Sequence, residues 1–199
     1  MRRVKFKKHS YMNKMHVNYA FPLLLVLTVL FASCSKRYKI DGKSSVTGLD
    51  GKMLYLKTLQ DGDWVAIDSA EVVHGLFQMK GSADSVRVVT LYMGDEGLMP
   101  LVLEDGKILV NITNVEMKAE GTPLNDMLYE FIAKRNSMEL AVEEVDRKEA
   151  RMVLDGVALD DIHDQLRHEA DSLVSALDNY VQQFIKDNYE NELGPSVFM

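Results

Sequence analysis

The sequence predicts an α+β fold in which an antiparallel, β-sandwich-like N-terminal part is followed by a long antiparallel helical hairpin. Two patterns carry this prediction. Over residues 46–120, short apolar runs alternate with turn residues at intervals of roughly 10 residues, as they do in β-sandwiches. Over residues 121–193, apolar residues recur at every third or fourth position, as they do along amphipathic helices.

The strands are predicted from apolar runs that begin after turn signals. Asp50-Gly51 precedes the first of these runs and Asp61-Gly62 precedes the second. The apolar runs on either side of residues 104–107 also predict a β-hairpin at that point. Several runs are apolar at consecutive positions, so we expect one strand face to pack on a second sheet and the other on helices. The predicted strands cover residues 53–56, 64–67, 85–93, 98–103, 108–110 and 115–117.

The helical part has start and stop signals at both helices. Thr122 is a suitable N-cap, and Pro123 suits the first helical position. The first helix is predicted to end before Asp155-Gly156. A second helix is predicted from about Leu159 to about Asn188, with acidic residues in its first turn. We expect the two helices to pack antiparallel and to dock on the sheet or on a neighbouring domain.

Residues 1–33 have the composition of a bacterial lipoprotein signal peptide. They contain six of the 23 Lys and Arg residues and none of the 30 Asp and Glu residues. The apolar run over residues 21–32 is shorter than the roughly 20 residues that a membrane-spanning helix needs. It leads into Ala32-Ser33-Cys34, which resembles a lipobox, so we predict cleavage between Ser33 and Cys34 and a lipid on Cys34. The alternative is an ordinary secretory signal with an incidental cysteine.

The surroundings of Cys34 predict where the protein is anchored. Cys34 is the only cysteine of the chain and has no internal disulfide partner, whereas several acyl chains on it would give firm anchoring. By resemblance to bacterial sorting rules, Ser35 does not signal retention in the inner membrane. We therefore expect the periplasmic face of the outer membrane, with residues 34–45 as lipidated cysteine and polar tether. Met1 and Met12 are alternative starts, and residues 194–199 are predicted to begin a missing or truncated following domain.

After cleavage the chain would be strongly acidic. It would keep 17 basic and 30 acidic residues, which gives a net charge of −13. Such a charge repels nucleic acid and anionic lipid headgroups. We therefore predict no nucleic-acid partner, and we expect contact with the membrane through the N-terminal lipid.

The sequence shows no catalytic or metal-binding pattern. It contains no Gly-x-x-x-x-Gly-Lys-Ser/Thr loop, no His-Glu-x-x-His and no Cys-x-x-Cys. A solvated face is the more common reason for a pattern in which acidic residues and a histidine share one helical face, as do Asp160, Asp164, His168 and Asp171. We therefore predict no enzyme activity, no cofactor and no metal. Strand aromatics are more often packing residues than ligand contacts, and the candidate ligand face consists of Tyr55, Trp64 and Tyr92.

Short motifs follow one another in a recognisable order from about Tyr38 to Leu193. In the β part and at the start of the first helix they are Gly51-x-x-x-Tyr55-Leu56, Ile67-Asp68-Ser69-Ala70, Gly75-x-Phe77, Gly81, Leu103-Glu104-x-Gly106 and Gly121-Thr122-x-Leu124-Asn125. The helical pair that ends in Phe184-Ile185-Lys186-Asp187-Asn188 completes the pattern. Together they resemble an N-terminal domain of unknown function of Bacteroidetes-type lipoproteins. In that family the domain usually precedes a thioredoxin-like domain of the thiol-disulfide oxidoreductase or alkyl hydroperoxide reductase type. The resemblance implies an accessory module, and the chain itself lacks the thiol pair of that redox chemistry.

The predicted function is that of a lipid-anchored accessory or interaction domain of the cell envelope. Its expected partners are the membrane, through the lipid, and either a protein or a C-terminal thioredoxin-like domain. The alternative is a periplasmic domain that binds a small molecule or a glycan through the strand aromatics.

Overall fold

Eight strands and two long helices make up most of residues 36–196, which are the residues that the computed structural model describes. The predicted α+β class is confirmed, because the strands form two sandwich-like sheets and the long helices follow them. The predicted signal peptide, its cleavage site and Cys34 lie outside the described residues. The elements are β1 (Arg37–Ser44), a 3-10 turn (Thr47–Leu49), β2 (Met53–Gln60), β3 (Asp63–Glu71), β4 (Leu76–Ser82), β5 (Arg87–Met93), β6 (Glu96–Leu103), β7 (Gly106–Ile112), β8 (Met117–Glu120), α1 (Pro123–Leu154), α2 (Leu159–Asp187) and α3 (Leu193–Ser196).

The strands are divided between two four-stranded sheets. Sheet I has the order β4-β1-β7-β8, and sheet II has the order β3-β2-β5-β6. Neighbouring strands are antiparallel, as predicted, except β1 and β7, which run parallel. A parallel pair needs a long crossover connection. The chain between β1 and β7 provides it by passing through sheet II twice, with β4 of sheet I between the two passages.

The hairpin predicted at residues 104–107 is wrong. β6 belongs to sheet II and β7 to sheet I, so the turn between them connects the two sheets. Turn residues specify that the chain reverses direction, but they do not specify which strand becomes the neighbour. β7 pairs with β1, where Ile108 lies beside Ile40 and both side chains are buried.

The tether predicted over residues 34–45 is also wrong in the part that the structure describes. Residues 37–44 form β1, which lies between β4 and β7 inside sheet I. Tyr38 and Ile40 are buried, whereas Lys39 and Lys43 are exposed. This alternation is that of a half-buried strand. The many polar residues of the segment concealed it, since they occupy the outward positions.

Two glycines of sheet I leave space for aromatic rings. Gly42 faces Phe77 across the β1–β4 ladder, and Gly81 faces Tyr38. A Cβ atom added at Gly42 would overlap the ring of Phe77, and one added at Gly81 would overlap the Tyr38 side chain. Both aromatic side chains are at most 5% exposed. Each ring therefore lies over a stretch of backbone that only glycine leaves open.

A side-chain hydrogen bond joins the two sheets. The hydroxyl of Tyr38 in β1 donates to Oδ2 of Asp68 in β3 at 2.8 Å, and Oδ1 of Asp68 accepts from the N–H of Ser69. Burial, and then the hydrogen bond to Asp68, raise the pKa of Tyr38 well above its usual value. The phenol therefore stays neutral and remains a donor.

Helix α1 covers the open edge of sheet II at β6. Asn125 is fully buried, and its side-chain oxygen accepts from the N–H of Val102 at 2.9 Å while its amide nitrogen donates to the Val102 carbonyl at 2.8 Å. One turn later the hydroxyl of Tyr129 donates to the carbonyl of Pro100 at 2.8 Å. The backbone groups of an edge strand are thus paired by side chains instead of by another strand.

A carboxylate from the sheet caps the N-terminus of α1. Glu104 is 8% exposed, and its Oε1 accepts from the N–H of Leu124 at 2.8 Å and from that of Asn125 at 3.2 Å. A carboxylate is favourable at this end of a helix. Thr122 occupies the predicted N-cap position, but its hydroxyl accepts from the Asn125 amide and from no helix N–H.

The helical hairpin has two separate apolar clusters. Near the sheets, Phe131 of α1 stacks on Phe184 of α2 with ring centroids 3.9 Å apart. Farther along the hairpin, Val145 of α1 packs with Ile162 and Leu166 of α2 in a cluster distinct from the main core. The outer part of the hairpin is therefore stabilised by contacts between the two helices.

Candidate functional site

An open groove of about 670 Å³ lies between sheet II and helix α1. Its volume is within the range of roughly 300–1,000 Å³ that is typical of ligand sites. Apolar side chains from both elements line most of it. The apolar lining consists of Leu59, Trp64, Val88, Val89, Pro100, Leu128, Phe131 and Ile132.

Strand register explains why residues of four strands meet in the groove. Leu59 of β2 is paired with Trp64 of β3, and Thr90 of β5 is paired with Pro100 of β6. Side chains alternate between the two faces of a sheet. These residues therefore point away from sheet I, whereas Leu56 of β2 points towards it and is fully buried.

The three predicted aromatic residues come together on this face, but they are not equivalent. Tyr55 is paired with Tyr92 in the β2–β5 ladder, and the ring centroid of Tyr92 lies 5.6 Å from that of Trp64. Nζ of Lys57 lies 4.4 Å from the Tyr92 ring centroid, so a cation occupies one face of that ring. Trp64 is 48% exposed and lines the groove, whereas Tyr55 and Tyr92 do not line it.

Two arginines and one glutamate add charge to the groove lining, namely Arg87, Arg135 and Glu192. Nη2 of Arg87 donates to the Ser85 hydroxyl at 3.2 Å. Nε of Arg135 lies 3.2 Å from a Glu139 carboxylate oxygen, which is ion-pair distance, but the two groups are not aligned as a hydrogen bond. Both guanidinium groups therefore keep donors that a bound group could use.

The acidic face of α2 is open to solvent. Asp160, Asp164 and His168 are all exposed on that helix. In residues 36–196, no three His, Cys, Asp or Glu side chains are grouped so that they could hold a metal ion. The same part of the chain contains no helix of the length and apolar character that crossing a membrane requires.

The β part of the chain is similar to one known family model. Residues 38–128 match the family model of a domain of unknown function, DUF4369. The DUF4369 match begins in β1 and ends within the first turns of α1, so it includes both sheets and the start of the helix that covers their edge. No curated protein matches the chain.

Within residues 38–128, the residues of the sequence motifs serve the fold. Asp68 holds sheet II to sheet I through Tyr38, while Glu104 and Asn125 fasten α1 to the end of β6. Gly81 provides the space for the Tyr38 ring. These side chains lie outside the groove lining, so the motifs account for the architecture and not for the groove.

Sequence patterns missed the helix side of the groove. Phe131 and Arg135 lie beyond the DUF4369 match, in a stretch that was interpretable only as an amphipathic helix. Arg135 follows Phe131 by four residues and so lies on the same helix face. The four-residue spacing between Phe131 and Arg135 is the one signal in the sequence that places a positive charge beside the apolar face of α1. The contacts that bring this face to sheet II are made elsewhere, by Asn125 and Tyr129.

Proposed function

We propose that this protein is a lipid-anchored accessory module of the cell envelope that binds a protein partner through the groove between sheet II and α1. The observation that carries the proposal is the groove's composition. Its apolar lining includes the exposed Trp64, and Arg87 and Arg135 stand beside it. Trp, Tyr and Arg are the residue types that most often dominate the energetics of protein interfaces.

The chemistry of the groove specifies the kind of segment that would fill it. The apolar surface suits an aliphatic or aromatic side chain, and the guanidinium groups of Arg87 and Arg135 suit a carboxylate next to it. The expected partner segment is therefore an apolar residue flanked by Asp or Glu. Such a segment can belong to another protein or to a thioredoxin-like domain whose redox chemistry this module positions and does not perform. We propose no catalytic role for the module itself.

The envelope location rests on Cys34. The lipobox-like sequence supports lipidation of this residue, and the absence of acidic residues before it supports export. The proposed membrane is the outer one, on its periplasmic face. Metabolic labelling with a tagged fatty acid should label the wild-type protein and should fail to label Cys34→Ala. Equal labelling of both proteins would contradict the proposed anchor.

Site-specific photo-crosslinking tests the groove. A photoreactive amino acid at Leu59, which lines the groove and is 45% exposed, should yield a discrete cross-linked product in the native envelope. The matched position is Val73, which is 53% exposed and lies outside the groove. The product from Leu59 should be absent at Val73 and should disappear when Arg87→Glu and Arg135→Glu are combined. A product that forms equally at both positions, or that survives the charge reversal, would contradict a groove-bound partner.

The second candidate is a glycan or small-molecule ligand, and the contact between Trp64 and Tyr92 favours it. Trp64 is the only tryptophan of the chain, so its fluorescence reports on this site without interference. If the site takes a glycan, soluble cell-envelope oligosaccharides should quench Trp64 emission to saturation. Tyr92→Ala, which removes the ring beside Trp64, should weaken that binding about 10-fold, which corresponds to about 1.4 kcal/mol. Unchanged emission with the oligosaccharides would reject the glycan and leave the protein partner.

A further inference from the structure

The outward face of sheet I concentrates positive charge on an acidic protein. Strand register places six cationic side chains and two carboxylates on this face. The chain after residue 34 has 17 basic and 30 acidic residues, and 15 of the acidic ones lie within residues 123–187, in or between the two long helices. The cationic residues are Arg37, Lys39, Lys43, Lys80, Lys107 and Lys118, and the carboxylates are Asp41 and Glu120. We call this surface the basic face.

Three lysines of the basic face form a row across adjacent strands. Lys39 of β1 is paired with Lys80 of β4 on one side and with Lys107 of β7 on the other. Like charges directly opposite each other destabilise a sheet. Asp41 relieves part of this repulsion, since its carboxylate lies 2.9 Å from Nζ of Lys39 and 3.0 Å from Nζ of Lys107. Hydrogen bonds from these two lysines hold the pKa of Asp41 below its usual value.

Two further cations of the basic face are not neutralised in this way. Among the described residues, Lys80 and Lys43 have no carboxylate within ion-pair distance, whereas Nζ of Lys118 lies 2.6 Å from a Glu120 carboxylate oxygen. Leu76 and Leu109 share the face and are 57% and 39% exposed. Lysine side chains near an anionic bilayer are attracted to its headgroups, and exposed leucines add apolar area that the interface can bury.

We propose that the basic face docks on anionic lipid headgroups of the membrane that carries the protein. The choice of a bilayer as the occupant rests on the proposed lipidation of Cys34. Arg37, the first residue of β1, follows Cys34 by three positions, which span at most about 11 Å. Lys39 lies two residues farther along the strand, roughly 7 Å, and Lys80 and Lys107 lie beside it.

The net charge of the protein does not prevent this docking. Salt screens charges beyond about 8–10 Å under physiological conditions. A bilayer at the basic face therefore interacts mainly with the charges on that face. Among the acidic residues of the long helices, Asp126 and Glu130 of α1 lie near Lys118 at the β8 edge. The expectation that the acidic body is repelled by anionic headgroups came from net charge, and net charge does not show that strand alternation places six cationic side chains on one face of sheet I.

Vesicle partitioning of residues 35–199 tests the proposal without the lipid anchor. Residues 35–199 form one compact unit whose hydrophobic core consists of its own side chains, so this unit is expected to fold alone. It should partition into vesicles of equal parts phosphatidylcholine and phosphatidylglycerol and not into phosphatidylcholine vesicles, and raised salt should release it. Lys39→Gln, Lys80→Gln and Lys107→Gln combined should weaken partitioning about 100-fold, at about fivefold for each lysine near an anionic surface.

Two further variants keep the result interpretable. Lys52→Gln, Lys134→Gln and Lys186→Gln combined change the net charge by the same amount but lie off the basic face, and this variant should partition within about threefold of wild type. Lys43→Gln with Lys80→Gln breaks no ion pair of the described residues and should still weaken partitioning about 25-fold. Equal losses in the two triple variants, or wild-type partitioning that ignores phosphatidylglycerol, would overturn the proposal. Either result would leave the lipidation of Cys34 and the groove untouched, because this experiment uses neither.

Discussion

Replacing Asn125 with alanine should lower the free energy of unfolding by about 3–5 kcal/mol. Asn125 is fully buried and pairs both backbone groups of Val102, which is itself fully buried. The alanine variant leaves the Val102 N–H and C=O without partners, at roughly 1–3 kcal/mol for each group. Denaturant unfolding followed by circular dichroism measures the loss.

Two matched variants separate this role from a general effect of losing an asparagine. Asn179→Ala changes an exposed residue of α2 and should stay within about 0.5 kcal/mol of wild type. Asn125→Asp keeps the shape and the acceptor oxygen, but it replaces the donor to the Val102 carbonyl with a second acceptor. The aspartate should therefore destabilise at least as much as the alanine. An Asn125→Ala variant within about 1 kcal/mol of wild type would show that α1 does not depend on this contact.

Alanine at Gly42 should lower the free energy of unfolding by about 2–3 kcal/mol, because its methyl group overlaps the ring of Phe77. The Phe77 ring is 3% exposed and packed within the main core, so it cannot move aside without displacing other buried side chains. Thermal or denaturant unfolding gives the change. Gly48→Ala is the control, since a Cβ atom there meets nothing within 4 Å, and it should cost under about 1 kcal/mol.

A double-mutant cycle tests the assigned cause. Phe77→Leu removes the far side of the ring and should cost about 1–2 kcal/mol in the wild-type background. In the Gly42→Ala background it should cost at least about 1 kcal/mol less, because it also removes the overlap. Additive effects of the two changes would mean that the alanine acts through something other than Phe77.

The helices were predictable from sequence because their signals are local. Pro123 at the first position, Asp155-Gly156 after the last turn of α1 and the repeat of apolar residues in α2 all act within a few residues. The observed bounds of α1 and α2 agree with those predictions. Most strands after residue 46 were found for the same reason, since turn residues and apolar runs are also local. β4 (Leu76–Ser82) was missed, and the strand predicted over residues 115–117 overlaps β8 only at Met117.

Strand partners and surface charge could not be read in the same way. The turn at residues 104–107 was recognisable, but the sheet that β7 enters depends on Ile108 meeting Ile40, far away in the chain. The polar composition of residues 37–44 led to a further error, because it suggested a tether. In the structure these residues alternate between buried and outward positions and form β1. Net charge likewise concealed the basic face, because a total over all residues does not record on which face of the sheet each charged side chain lies.

The candidate site shows the same division between local and distant causes. Trp64 was a sequence candidate because it is an aromatic residue on a predicted strand, and it does line the groove. Tyr55 and Tyr92 were chosen on the same grounds, yet they lie outside the lining. Arg135 was not predicted at all. Its place beside the groove depends on the packing of α1 against β6, and no pattern within the helix specifies that.

The outer part of the helical hairpin is less stably packed than the part of the protein that contains the two sheets. α1 has 32 residues and is roughly 48 Å long at about 1.5 Å per residue, yet beyond its base the hairpin buries only Val145, Ile162 and Leu166 among the described residues. Regions with few buried contacts open at a lower free energy than the main core. The outer turns can therefore separate and close again while both sheets stay folded. The outer hairpin can therefore deform under force or on contact with another molecule while the groove between sheet II and α1 keeps its structure.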